Sequence, residues 1–250
     1  MTNKFIHFIA NWKMFGDINS INSLNKVIKF SNIHKKNKYR IIYCPPYTLL
    51  NLFSRKVKNT RIMLGAQNCH HEQNNSAFTG SISAKMIKKI GAKYVIVGHS
   101  EVRADGETDL IINKKIKTLI NNDLNIILCI GETLSQKKKK QTYKILKNQI
   151  SRALKGIKKK NNILIAYEPI WSIGTGIIPK IFDLDKDIKY LKNFLLKKIK
   201  IKKPKILYGG SVNDKNIIDL KKIDILDGFL IGGASHSPKK FIDIIKKTFN

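Results

Sequence analysis

No apolar stretch in this chain approaches the roughly 20 residues that would cross a bilayer. The opening MTNKFIHFIANWKM also lacks the charged, apolar and small-residue zones of a secretory signal. No membrane partner is expected, and the reading is a protein that stays in the cytoplasm. Cysteine is scarce: Cys44, Cys69 and Cys129 form an odd count without paired spacing, each in or beside an apolar run. That pattern argues against a disulfide framework and for buried free thiols. Arginine is scarce too, with only Arg40, Arg55, Arg61, Arg103 and Arg152 among 48 basic residues. Acids number only 17, which leaves a formal charge of +31 and a pI near 10.1. So basic a chain raises nucleic acid as a partner. Lysine, however, lacks the bidentate fork used in base and phosphate recognition, and here it is spread through the whole chain. A basic nucleic-acid-binding protein is therefore the weaker alternative, and no specific nucleic acid is expected. Lys, Ile and Asn share A/T-rich codons, so drift in a biased genome is our hypothesis for the excess. A genomic neighbourhood of balanced base composition would count against it.

What is present is alternation. The 250 residues, 42% of them hydrophobic, suffice for one large core, and a single domain over 1–250 is expected. Eight apolar runs recur, at 5–10, 41–44, 62–66, 94–98, 125–130, 163–167, 206–208 and 228–231. Between them lie segments with helical spacing, such as Leu146, Ile150, Ala153, Leu154 and Ile157. Eight strand-and-helix units in this length match an α/β fold of the (β/α)8 TIM barrel type, with working groups at the carboxyl ends of the strands. An open doubly wound sheet is the alternative, but G-x-G-x-x-G is missing after the first run.

The sixth run ends in the stretch AYEPIWSIGTG, residues 166–176. Glu168 stands at a strand's carboxyl end, where an acid faces a pocket rather than bulk water. Pro169 stiffens the backbone after it, Ile170 and Trp171 add apolar mass, and Gly174-Thr175-Gly176 loosens the far end. The stretch reads as a carboxylate followed by a hinged flap. It resembles the catalytic loop of the triosephosphate isomerase family, and further motifs follow in that family's order. Asn11-Trp12-Lys13 ends the first run, Val97-Gly98-His99-Ser100-Glu101 the fourth, and Cys129-Ile130-Gly131-Glu132 the fifth. Tyr208-Gly209-Gly210-Ser211 ends the seventh and Ile231-Gly232-Gly233 the eighth.

The resemblance implies interconversion of dihydroxyacetone phosphate and glyceraldehyde 3-phosphate, a step of glycolysis and gluconeogenesis, through an enediol or enediolate. It implies Glu168 as the carbon base, His99 as a neutral electrophile, Lys13 as the cation beside negative oxygen and Asn11 as its positioning neighbour. A strand-end imidazole before a helix start is held neutral by the amide dipoles there. Glycine pairs let backbone N–H groups approach phosphate oxygens. The substrate phosphate is accordingly expected among Gly174, Ser211, Gly232 and Gly233, with Ile173 and Leu230 drying the carboxylate. No metal or organic cofactor is implied. His70, His71 and Glu72 in the polar third loop lack a further ligand at useful spacing and read as solvated. The run Lys137–Lys140 reads as a solvated helix face. The family also implies a homodimer, in which the third loop, with Ala77-Phe78-Thr79-Gly80, reaches a second subunit. Two departures stand out. Ile177, Ile178 and Pro179 replace the family's usual second hinge of Lys, a small hydroxyl residue and Ala. Ser81 and Val102 replace a Glu and an Arg that pair across the interface. Another phosphate-binding barrel enzyme remains the alternative within the same fold.

Overall fold

The computed structural model describes residues 5–34, 38–73 and 76–249. Eight parallel strands close into a barrel in sequence order: β1 Ile6–Asn11, β2 Tyr39–Cys44, β3 Ile62–Ala66, β4 Tyr94–Val97, β5 Asn125–Ile130, β6 Ile163–Tyr167, β7 Lys205–Tyr208 and β8 Gly228–Ile231. The ring is sealed by β1 against β8, with Phe8 opposite Phe229 and Ala10 opposite Ile231. Each of the eight apolar runs contributes one strand. The first is shifted by one residue from the expected bounds, since the ladder runs on to Asn11, paired with Cys44.

The strands read as continuous apolar runs because both of their faces are buried. One face packs inside the barrel, with Ile9, Ile42, Ile96, Ile127, Leu164 and Leu207 in a closed interior cluster. The other face, including Phe8, Val95, Ile126, Ile165 and Ile206, meets the helices that surround the barrel. Cutting one interior Ile back to Ala would cost about 2–5 kcal/mol in lost transfer and cavity formation. At the amino-terminal end of the interior, His7 is buried, with its Nδ1 donating to the Asp227 carbonyl at 3.0 Å and its Nε2 unpartnered.

The connecting helices are capped by local chemistry. Ser83 accepts from the Met86 N–H at the start of the helix Ala84–Lys89, and Thr108 from the Ile111 N–H at the start of Asp109–Asn121. Thr133 and Gln136 form a reciprocal capping box at the short helix Leu134–Lys138, which begins soon after β5. The strand ends share one rim, where the site residues are found. No described helix is long and apolar enough to cross a membrane.

Candidate active site

All eight residues singled out from sequence meet at that rim. Asn11, Lys13, His99, Glu168, Gly174, Ser211, Gly232 and Gly233 line a single cavity of about 290 Å³, with Ile173, Gly209, Gly210 and Leu230 beside them. They come from β1, β4, β6, β7 and β8 and the loops that follow, so the barrel's closure is what assembles them.

Glu168 is buried, and two glycines make its place. A Cβ added at Gly209 would lie 2.7 Å from the Glu168 Cγ and 2.9 Å from Oε1, while one at Gly131 would run into the Glu168 carbonyl oxygen. Burial pushes the carboxyl above its ordinary range, opposed by the neighbouring His99, the Cys129 thiol and Lys13. Its Oε2 has no hydrogen-bond partner, and its Oε1 lies 3.6 Å from His99 Nε2. An acid so placed is a stronger base than its exposed counterpart and has lone pairs to spare.

His99 precedes the short helix Ser100–Ala104, and its Nδ1 accepts the Glu101 backbone N–H at 3.3 Å. That bond leaves Nε2 to carry the proton of a neutral ring, aimed at the cavity. Lys13 reaches the same space from a left-handed backbone, φ 53°, which costs a side-chain-bearing residue some strain. Asn11 Oδ1 accepts its N–H at 3.2 Å and Gln67 Nε2 donates to its carbonyl at 2.8 Å, so the strained turn is held at both ends. Its Nζ pairs with Glu101 Oε1 at 2.5 Å, and because Glu101 is half exposed the pair contributes little to stability.

The flap over 169–179 turns through Gly174 at φ 71° and Gly176 at φ 79°, the two positions where a side chain would be strained. Its Trp171 donates from Nε1 to Glu132 Oε1 at 3.2 Å, and the Lys137 ammonium sits 4.1 Å from the centre of the Trp171 ring. Glu132 is fully buried and also accepts from the Tyr167 hydroxyl. Burial raises its pKa, against the Trp171 hydrogen bond. In the sequence, Glu132 stands out only as the end of a family motif, and the Lys137–Lys140 run reads as a solvated face. The signal available for Glu132 was a lone acid in an apolar strand end, which requires a partner. In the third loop, His70 stacks on His71 and lies tilted against Phe78, and no trio of metal-ligating side chains is gathered among the described residues.

The sequence model of the triosephosphate isomerase family matches residues 6–248. This chain belongs to the triosephosphate isomerase family. Relatives include the triosephosphate isomerase of Aquifex aeolicus, 38% identical over 242 residues, covering 94% of this chain and 96% of that one. The enzyme of Buchnera aphidicola subsp. Baizongia pistaciae is 41% identical over 249 residues, covering 97% of each. Among solved structures, the triosephosphate isomerase of Bartonella henselae superposes with a TM-score of 0.88 at 31% identity over the full length of both chains. As a triosephosphate isomerase, the chain interconverts dihydroxyacetone phosphate and glyceraldehyde 3-phosphate.

Proposed function

We propose that Glu168 removes the carbon-bound proton of the triose phosphate and returns it to the adjacent carbon. His99 donates from Nε2 to the substrate carbonyl oxygen and relays the hydroxyl proton between the two oxygens. Lys13 supplies a full positive charge to the enediolate oxygen, and Asn11 positions that oxygen while holding the Lys13 backbone. The phosphate lies among Gly174, Ser211, Gly232 and Gly233, with Ile173 and Leu230 keeping water from the carboxylate. Dry surroundings strengthen each of these electrostatic contacts. The observation that carries the reading is the approach of a buried, partly unpartnered Glu168 to His99 Nε2, 3.6 Å away, in a cavity that Lys13 also lines. The steps call on side chains and backbone amides alone, without a metal or organic cofactor. A coupled isomerase assay tests it. Glu168→Gln, His99→Gln and Lys13→Met should each lose about 10²–10⁴-fold in turnover with the fold intact, and losses of only a few-fold in all three would end the assignment.

The same reading includes a homodimer. Met14, Phe15 and Ile18 after β1 and Phe78 and Met86 in and after the third loop are exposed apolar side chains, which supports a covered face there. The third loop is also anchored within its own chain. Its root is held within the chain by Tyr47 to the Asn68 carbonyl, by the buried Lys115–Glu107 pair with Lys115 on Asn68 Oδ1, and by Thr118 to the His71 carbonyl. A cytoplasmic location is part of the proposal and is supported by three cysteines that are all free and buried.

A further inference from the structure

Among the residues that line the cavity, the lysines and carboxylates are Lys13, Glu168, Asp214 and Lys240. The first two belong to the chemistry above, and the Lys13 ammonium is already paired with Glu101 Oε1 at 2.5 Å. Asp214 lies just past Ser211, where a carboxylate repels an incoming phosphate. Lys247 offsets it, with Nζ 3.8 Å from Asp214 Oδ2 and donating to the Asp214 carbonyl at 2.7 Å. Those two charges cancel, and Lys240 is left as the net charge at this end of the cavity.

Lys240 reaches the cavity by its place in the chain. Gly232 and Gly233 lead through the short turn Gly233–His236 into the final helix, Pro238–Phe249, and Lys240 lies in that helix's first turn. Helical side chains lean toward the amino-terminal end of their helix, which here is the end nearest Gly232 and Gly233. The Lys240 N–H donates to Ser237 Oγ at 3.4 Å, which fixes the turn that carries it. A cation in a first turn opposes the helix dipole, and this turn holds no acid to offset it. Local helix chemistry therefore gives no reason for a lysine there. Its neighbours on the helix have partners: Lys239 has Asp243 at 3.7 Å, Lys246 the Phe30 ring at 5.9 Å, and Lys247 has Asp214. Among the described residues, no carboxylate pairs with Lys240.

We propose that Lys240 is a second cation for the substrate, holding the phosphate dianion from the outer side while Lys13 serves the reacting oxygens. The proposal rests on the reading of Gly174, Ser211, Gly232 and Gly233 as the phosphate cradle. Backbone amides and a serine hydroxyl supply hydrogen bonds but no net charge, whereas a phosphate monoester carries about two negative charges at neutral pH. The phosphate keeps its charge throughout the proton transfers, so its contact with Lys240 is as strong before them as during them. Lys240 accordingly acts on binding and on selectivity for an anionic triose, rather than on the chemical step.

The test measures KM for glyceraldehyde 3-phosphate, kcat, and the Ki of inorganic phosphate as a competitive inhibitor. It compares the full-length parent with Lys240→Met, Lys240→Arg, Lys240→Glu and Lys239→Met. KM and Ki are independent of how much of a preparation is active. Lys240→Met should raise both constants about three- to fivefold, the scale of one exposed charge pair, with kcat changed by less than about twofold. Lys240→Arg should stay near the parent, and Lys240→Glu should raise both constants beyond Lys240→Met. Lys239→Met removes the same charge one residue away and should leave both constants within about 1.5-fold, which tells a local contact from a general loss of positive field. Raising the salt to about 0.5 M should narrow the gap between parent and Lys240→Met. Constants in Lys240→Met within about 1.5-fold of the parent, or an equal rise in Lys239→Met, overturn the role of Lys240 alone. Inorganic phosphate that fails to compete with substrate on the parent overturns the cradle and the inference together.

Discussion

Gly209 offers a way to displace the carboxylate while leaving every reactive group chemically intact. The Cβ of Gly209→Ala would sit 2.7 Å from Glu168 Cγ and 2.9 Å from Oε1. Carbon atoms settle at about 3.5–4.0 Å, so the Glu168 side chain must retreat by roughly 1 Å. The Gly209 backbone is not left-handed, which leaves this contact as the whole of the perturbation. Misplacing a catalytic group by that much costs on the order of 10²-fold. Overpacking should cost about 1–3 kcal/mol of stability, leaving a folded enzyme to assay. Gly131→Ala is the contrasting variant. Its Cβ meets the Glu168 carbonyl oxygen, part of a backbone pinned by the Glu168 N–H on the Ile130 carbonyl at 2.8 Å and unable to give way. Gly131→Ala should fail to fold, whereas Gly209→Ala should fold and lose turnover. Thermal melts followed by circular dichroism, paired with the coupled assay, separate the two. Turnover of Gly209→Ala within about threefold of the parent would refute the idea that this glycine sets the carboxylate's position.

Three other perturbations have defined outcomes. His7 is held neutral by burial, its pKa lowered from 6.5 to about 4, so the unfolded chain takes up a proton that the native state refuses. Stability is lost as pH falls from 6.5 toward 4, by about 2 kcal/mol at pH 5 relative to pH 7, and urea melts of His7→Leu should lack that share of the acid limb. At the flap's second hinge, two β-branched residues and a proline restrict the backbone, so replacing Ile177-Ile178-Pro179 by Lys-Thr-Ala should change opening rates. Relaxation-dispersion NMR showing unchanged exchange, together with unchanged turnover, would discard the hinge argument. At the proposed interface, Ser81→Glu should weaken the dimer more than Ser81→Glu with Val102→Arg, because a lone buried charge costs about 3–5 kcal/mol and a paired one far less. Sedimentation decides, and a monomeric, fully active parent removes the dimer from the proposal.

The strand order and the four groups at the heart of the site were readable because each is a local signal. An apolar run buried on both faces looks the same in the sequence as in the barrel; Glu168 and His99 follow such a run directly, and Asn11 and Lys13 lie just past the first one. What sequence withheld depends on register. Gly209 reads as half of a phosphate-binding glycine pair and Gly131 as part of a strand-end motif, and only the pairing of β6 with β5 and β7 brings both against Glu168. Glu132 meets Trp171 and Tyr167 across 39 and 35 residues, and no spacing rule reaches that far. Lys137 read as one lysine in a run, though its ring contact lies on the flap.

Because the barrel is closed, the distances among Lys13, His99, Glu168 and Ser211 are set by one unbroken ring of inter-strand hydrogen bonds rather than by the helices outside it. Many of the lysines ride on those outer helices, such as Lys85, Lys88 and Lys89 on Ala84–Lys89 or Lys239, Lys246 and Lys247 on the final helix, Pro238–Phe249, and others lie in the loops between them. The coat can therefore be rewritten residue by residue under a skewed supply of codons, while the working geometry inside the ring stays where it is.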